Sequence, residues 1–444
     1  MISDLTVMAS SSPLPIHEKL PTELLLDIFA LITALPYKHD ETLIFDGRYS
    51  PLYLGHICRA WRSIAWTTPS LWSAIGMKIS DDSLSGHTGI NAYQLGLLEQ
   101  WLQRAQGSPL SIYLRVSAES AMPTPPTHVY ELLIQKLVSR SKQWIYLDCR
   151  VPRASMRIPF AGIASQGGLP LLQTLIVENE VVPSQWLQSA PNLSRLIIRN
   201  RGWFMRIPPV DCVMPDESRL QHLSANWIQP NLFLDILRSS SPHIISCQVT
   251  FYDRHSSGVG SPAIYLPRLS RLVISQGGTS ILNDILDLIH CPSLSDLTLS
   301  HLQSTESGTR LELPNILSQW SRNLISLTLS TTTLDEHEDL IPTLQIIPSL
   351  RHLTLAYVYY HDPALDSDGD VEWKHLSHLL ATDTTFLPTL DTFRLVYGFK
   401  EDNPPAVAAY LPEIEIFRTL HNFPFRNPAL PFKVTLYDNT QGHW

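Results

Sequence analysis

The side chains able to do chemistry in this chain are its acids, histidines, cysteines and serines, and their spacing decides what they can do. Asp366-Ser-Asp-Gly-Asp370 has the alternating carboxylates of a calcium loop. With Gly369 at the sixth loop position, however, Ala364 falls at the first and His375 at the twelfth, where carboxylate ligands are needed. The segment reads as a solvated acidic insertion, and Asp335-Glu-His-Glu-Asp339 as a loop and helix-start cluster. The seventeen histidines make no H-E-x-x-H pair and the five cysteines no C-x-x-C pair, so no metal site is indicated. Cys58, Cys149, Cys212, Cys247 and Cys291 are an odd, dispersed set, which reads as reduced and mostly buried intracellular thiols. There is no G-x-S-x-G elbow, P-loop or G-x-G-x-x-G turn, and Gln166-Gly-Gly168 and Gln276-Gly-Gly278 read as simple turns. Nothing in the spacing points to a catalytic triad. The expectation is a chain with no catalytic residue, no metal and no cofactor.

Bulk properties narrow the classes further. The 444 residues suffice for two or three domains or one elongated array. Apolar residues make up 44%, enough for a substantial core. Charged residues make up only 16%, so Ser, Thr, Asn and Gln must fill much of the surface. A net charge of −9 argues against non-specific binding to nucleic acid or to anionic membrane. No uninterrupted apolar run approaches ~18 residues, so no membrane span is expected. Met1 to Pro15 lacks the basic patch and apolar run of a secretory signal. The expected location is therefore intracellular, cytoplasmic and/or nuclear, and Asn192-Leu-Ser194 is a chance match to a glycosylation acceptor.

The elements that would position a site begin with the stretch Ile16 to Ile75. Leu20-Pro21-Thr22-Glu23 opens a helix with Leu24, Leu25, Ile28 and Ile32 on one stripe, widened by Leu26, Phe29 and Ala30. Ser50 can cap a second helix, with Pro51 at its first position. Leu54, Ile57, Cys58, Trp61, Ile64 and Ala65 then recur at helical spacing. A third short helix is expected from Thr68-Pro69, carrying Leu71 and Trp72. Three short helices hold more apolar surface than they can hide. Either a partner covers the surplus or the rest of the chain does.

The residues Leu20-Pro-x-Glu-Leu24, Ile28-Phe29, Ile57-Cys-Arg-x-Trp-Arg-x-Ile-Ala65 and Pro69-x-Leu-Trp72 resemble the F-box motif, in the wording frequent in mushroom-forming fungi. The connection from Pro36 to Tyr49 is longer and more polar than in the general motif. The resemblance implies docking on a Skp-family adaptor, and through it on a cullin. The matching positions are Leu20, Pro21, Leu24, Ile28, Leu54, Ile57, Trp61 and Trp72. The sequence does not separate those that form the unit's own core from those that meet the adaptor.

A repeat follows. The phrase L-x-x-L-x-L, or a near variant, begins at Leu172, Leu193, Leu220, Ile244, Leu269, Leu294, Leu324, Leu350 and Leu390. Many copies carry a proline two residues earlier (Pro170, Pro191, Pro242, Pro267, Pro292, Pro348 and Pro388), which ends a helix and starts an extended segment. Helical stretches lie between the phrases, at Ser184–Ala190, Leu232–Ser239, Ile281–His290, Asn315–Trp320, Leu340–Ile347 and Glu372–Ala381. A globular doubly wound fold also alternates strand and helix. The recurring phrase favours instead a resemblance to leucine-rich repeats. The usual Asn or Cys after the last apolar position is missing, so an irregular array is expected.

The expected fold class is thus α/β: a short N-terminal three-helix F-box followed by an irregular leucine-rich-repeat solenoid. The expected parts are a flexible lead at 1–14, the F-box at 15–76, a linker with a connecting helix at 77–108, and the repeats at 109–444. Side chains alternate along a strand, so residues between the phrase leucines face a concave surface of the kind repeat proteins use for binding. That surface would offer Arg195, Arg199, Arg271, Thr298, Thr328, His352 and Arg394, with Ile197, Val273, Ser300 and Thr354 among them. The resemblance implies a non-catalytic subunit that brings an unknown protein substrate to a Skp–cullin–F-box ubiquitin ligase. The alternatives are a repeat scaffold that docks without delivering a substrate and, more distantly, an α/β hydrolase.

Overall fold

The computed structural model describes residues 20–34, 50–80, 92–117, 128–150, 162–178, 184–199, 214–215, 218–251, 262–303, 313–331, 340–359, 376, 379–380, 383, 385–399 and 432–438. The chain forms two compact units, Met1–Asn179 and Glu180–Trp444. This division falls inside the stretch read as one array. The lead at 1–14, the connection Pro36 to Tyr49, and the acidic segments at 335–339 and 366–370 lie outside the described residues, as does most of the helix expected at Glu372–Ala381.

The first unit opens with helices α1 (Thr22–Ala34), α2 (Pro51–Ile57) and α3 (Arg59–Thr67) and a 3₁₀ turn, Pro69–Trp72. It continues with β1 (Ala74–Ser80), α4 (Ala92–Ala105), β2 (Leu110–Ser117), α5 (His128–Val138), β3 (Trp144–Arg150), α6 (Gly162–Ser165) and β4 (Thr174–Glu178). These strands pair in parallel in chain order. Strand β1 was not expected from the sequence, and it crosses the boundary drawn after residue 76. The third helix expected at Pro69 is only the 3₁₀ turn.

The second unit contains α7 (Ser184–Gln188), β5 (Arg195–Arg199), β6 (His222–Ile228), α8 (Pro230–Ser240), β7 (Ser246–Phe251), β8 (Ile264–Tyr265) and β9 (Arg271–Gly278). It continues through α9 (Thr279–Leu288), β10 (Ile289–His290), β11 (Asp296–Gln303), α10 (Leu313–Ser318), β12 (Ser326–Thr331), α11 (Leu340–Gln345), β13 (His352–Tyr359), β14 (Thr392–Phe399) and β15 (Phe432–Asp438). Strands β5, β6, β7, β9, β11, β12, β13, β14 and β15 lie side by side in that order and pair in parallel. Among the described residues, strands β8 and β10 form a separate parallel pair. The protein is thus a mixed α/β structure built on parallel sheet.

The phrase residues make the core. Leu272 and Ile274, Leu297 and Leu299, and Leu327 and Leu329 are buried on successive strands, in register with one another. Their inter-strand neighbours are again apolar, and the facing helices supply Phe233, Leu237, Leu282, Ile285, Ile316 and Leu317. Intervening side chains such as Val273, Thr298 and Thr328 stay half-buried. Each strand therefore has one covered and one open side, as its period of two requires. Fully burying a leucine contributes about 1.5–3 kcal/mol.

The described cysteines that lie in these cores are unreactive by position. Burial pushes the Cys149, Cys247 and Cys291 thiols up, with Cys291 reaching about 12.

Two predictions follow from this core. Leu297→Ala should cost about 2–5 kcal/mol in a urea melt, whereas Thr298→Ala, one residue on and on the open side, should stay within about 0.5 kcal/mol. For the thiols, a folded pKa above the unfolded value gives stability that is full below the unfolded pKa and is lost as pH rises through the folded one. Stability should therefore fall as pH climbs from 9.0 toward about 12. At pH 8 a thiol reagent should leave these three cysteines unlabelled until denaturant is added.

Candidate functional site

Two surfaces, one in each unit, contain the residues singled out from the sequence. The first is the helical part of the first unit. Pro51 occupies the first position of α2, where its missing N–H costs nothing. Ser50 precedes it with extended backbone, but its side chain makes no cap hydrogen bond. The single helix expected from Pro51 to Ala65 is broken at Cys58, whose backbone is extended (φ −155, ψ 169). The break is compensated locally. Cys58 Sγ accepts from the Trp61 backbone N–H at 3.4 Å, and the Gly55 carbonyl accepts from Arg62 Nε at 2.7 Å.

The break redistributes the apolar face. Leu54 and Ala65 are buried, but Ile57 is turned out and 50% exposed. Along α1, Leu25 and Phe29 are buried, and Phe29 packs on Trp61 with ring centroids 4.8 Å apart. Leu24, Ile28 and Leu31, at intervals of four and three residues, are 49%, 39% and 64% exposed. Tyr53 on α2 is likewise exposed. The structure thus separates what the motif could not. Leu54 and Trp72 are core, Leu20 and Trp61 are half-buried, and Pro21, Leu24, Ile28 and Ile57 face outward. Sequence reading missed Leu31 and Tyr53; the spacing of Leu31 from Leu24 and Ile28 was the available signal.

Trp72 anchors this part to the rest of the unit. Its Nε1 donates to the Ala65 carbonyl at 2.7 Å. Trp66 and Trp101 meet its ring edge-on at 5.5 and 5.0 Å, and the Arg104 guanidinium lies 4.8 Å from both the Trp66 and the Trp72 ring centroids. Helix α4 is therefore packed against the 3₁₀ turn, and a cut after residue 76 would split β1 and uncover Trp101.

The second surface is the open side of the second unit's sheet. Register gathers the predicted residues into rows. One row runs Arg195, His222, Ser246, Arg271, Asp296, Ser326, His352 and Thr392 across neighbouring strands. The next runs Ile197, Ser224, Gln248, Val273, Thr298, Thr328, Thr354 and Arg394. Arg199 lies at the far end of β5. With strands about 4.8 Å apart, Arg195 and His352 are separated by roughly 29 Å.

Neighbours within a row bind one another. His222 Nδ1 and Ser246 Oγ are hydrogen-bonded at 2.7 Å, and His352 Nδ1 and Thr392 Oγ1 at 2.8 Å. Arg271 Nε lies 3.4 Å from Asp296 Oδ2, and Ser300 Oγ is 2.8 Å from Ser275 Oγ. Arg195, Arg199 and Arg394 are exposed, whereas Ile197, expected on the binding surface, is buried. The His222–Ser246 pair has the reach of a base and a nucleophile. The row sets Arg195, not a carboxylate, on the other side of His222, so no acid orients the ring from that neighbour. The arrangement suits binding through hydroxyls and guanidinium groups. Among the described residues no helix is long and apolar enough to cross a membrane.

Two glycines give opposite expectations. A Cβ on Gly55 would run into the Trp66 ring, whereas one on Gly96, inside α4, would meet open space. Gly55→Ala should lower stability by about 1–3 kcal/mol. Gly96→Ala should raise it by about 0.5–1 kcal/mol, the two being compared by thermal melting. A comparison of the chain with protein-family models and with characterised proteins found no match to either.

Proposed function

We propose that this chain is a substrate-recognition adaptor of a Skp–cullin–F-box ubiquitin ligase. Helices α1 to α3 with the Pro69–Trp72 turn act as the F-box, and the strand–helix series acts as an irregular leucine-rich-repeat solenoid that holds a target protein. The observation that carries the reading is the outward row Leu24, Ile28 and Leu31, with Tyr53 and Ile57 on α2, in the segment whose residues resemble the motif. An apolar row on an otherwise well-packed helical unit is the kind of surface a helical partner covers.

The open, hydroxyl-rich face of the second unit supports the second half of the reading. Its rows present exposed Arg195, Arg199 and Arg394 beside polar groups already held in cross-strand pairs. In this role the chain catalyses nothing. It raises the local concentration of a bound protein near the transfer machinery, in the cytoplasm or nucleus.

The test is co-purification of the intact chain with a Skp-family adaptor, beside a Leu24→Ser/Ile28→Ser/Leu31→Ser variant. The variant should melt within a few degrees of the parent, because these side chains are already exposed, and should lose binding at least tenfold. An intact chain that does not bind the adaptor, or a folded variant that binds as well as the parent, sinks the proposal. Adaptor binding without cullin-dependent turnover of a captured protein would shift the reading to a docked scaffold.

A further inference from the structure

We infer that the edge of the second unit where its strands begin binds an extended, acidic segment of a partner protein. The inference rests on the turns that lead into those strands. The turns into β5, β7, β9, β11, β12 and β13 are described throughout, at 189–195, 241–246, 266–271, 291–296, 319–326 and 346–352. They contain Arg195, Arg268, Arg271, Arg322 and Arg351, all exposed, and no lysine. Asp296 is the only carboxylate in them. Asp391, whose backbone N–H donates to the Arg351 carbonyl at 2.8 Å, adds one more where the chain enters β14.

The protein's own acids offset this band only in part. Asp296 Oδ2 lies 3.4 Å from Arg271 Nε. Among the described residues no carboxylate pairs with Arg195, Arg268, Arg322 or Arg351. Asp383, ahead of the last of these turns, is engaged by Thr385, whose N–H and hydroxyl donate to its Oδ1 at 2.8 and 2.7 Å. Asp235 on α8 pairs with Arg238 on the same helix. Asp284 and Asp287 are exposed on α9, in the helical layer, and neither pairs with an arginine among the described residues. Five guanidinium groups thus share one edge with Asp296 and Asp391.

The dimensions fit a partner of this kind. With strands about 4.8 Å apart, Arg195 and Arg351 are separated by roughly 29 Å. An extended segment rising about 3.3 Å per residue crosses that distance in about nine residues. Each guanidinium presents a planar fork that takes a carboxylate through two hydrogen bonds. The chain's net charge of −9 disfavours a long polyanion that would run past the band onto the rest of the surface. A short run of Asp and Glu therefore fits better than nucleic acid. As the class of target that the repeats would hold, this partner rests on the proposed adaptor role.

The experiment measures binding of fluorescein-labelled decaglutamate to the full chain by anisotropy, beside the adaptor co-purification. The peptide should bind at low salt, weaken as salt rises, and bind at least tenfold more tightly than decaserine. Arg268→Gln with Arg351→Gln should lose at least tenfold, and each single change severalfold. These variants should melt within a few degrees of the parent, because both side chains are exposed. Asp296→Asn should instead tighten binding severalfold, since it removes an acid from the band and releases Arg271. Arg140→Gln, in the first unit, should leave binding unchanged, and an oligothymidylate of the same length should compete less well than unlabelled decaglutamate. The inference is overturned if decaglutamate does not bind, if the double variant or Asp296→Asn binds as the parent does, if Arg140→Gln loses as much as Arg268→Gln, or if the oligothymidylate competes better. A chain that binds the adaptor but not decaglutamate loses this inference alone. One that binds decaglutamate but not the adaptor loses the adaptor role alone.

Discussion

The second unit depends on one repeated contact, in which a single carbonyl catches two successive N–H groups of the next repeat. Ser194 O accepts from Gln221 and His222, and Gln221 O from Ile245 and Ser246. The pattern continues through Ile245 O to Ser270 and Arg271, Ser270 O to Ser295 and Asp296, and Ser295 O to Ile325 and Ser326. It ends with Ile325 O to Arg351 and His352, and Arg351 O to Asp391 and Thr392. Each link pins the start of a strand to the start of the one before it. With that point fixed, the register of the strand follows, and a one-residue slip that would throw its leucines to the open side is blocked.

A second ladder runs beside it through the turns. Ser293 Oγ donates to the Pro267 carbonyl, Asn323 Nδ2 to that of Pro292, and Thr389 Oγ1 to that of Pro348, at 2.6, 2.6 and 2.8 Å. Proline supplies a carbonyl but no competing N–H, and its ring fixes the turn. The recurring proline thus does more than end a helix: it presents an acceptor to the next repeat. The polar ladder that the sequence lacks after the last apolar position has a counterpart at the other end of the strand. Because the two ladders fix spacing independently of loop length, intervals between repeats can vary widely while the sheet stays continuous.

The two surfaces differ in how they are built. On the second unit the open face is made by strand alternation, so its rows of Arg195, Arg271 and His352, or of Thr298, Thr328 and Arg394, are consequences of register. On the helical part the outward row is a matter of packing. Phe29 stacks on Trp61 and Trp72 is enclosed by Trp66, Trp101 and Arg104, which fixes which side of α1 is left over. The proposed adaptor role draws on both: apolar side chains for one partner, hydroxyls and guanidinium groups for another.

The sequence by itself determined most strands of the second unit and, Ile197 apart, which of their residues turn inward, because a period of two leaves no freedom once Leu297 and Leu299 must be buried. It also located to within a few residues those of the intervening helices that are described, and marked the start of α2 through Pro51. Tertiary structure decided the rest. The break at Cys58, which frees Ile57, needs Arg62 to return to the Gly55 carbonyl and Trp66 to lie on Gly55, contacts that periodicity does not encode. Strand β1 escaped notice because Ala74 to Ser80 has no repeat phrase, and it becomes a strand by pairing with β2. Core and outward positions of the helical unit were inseparable in the motif, since Leu24 and Leu54 have the same chemistry and only packing tells them apart.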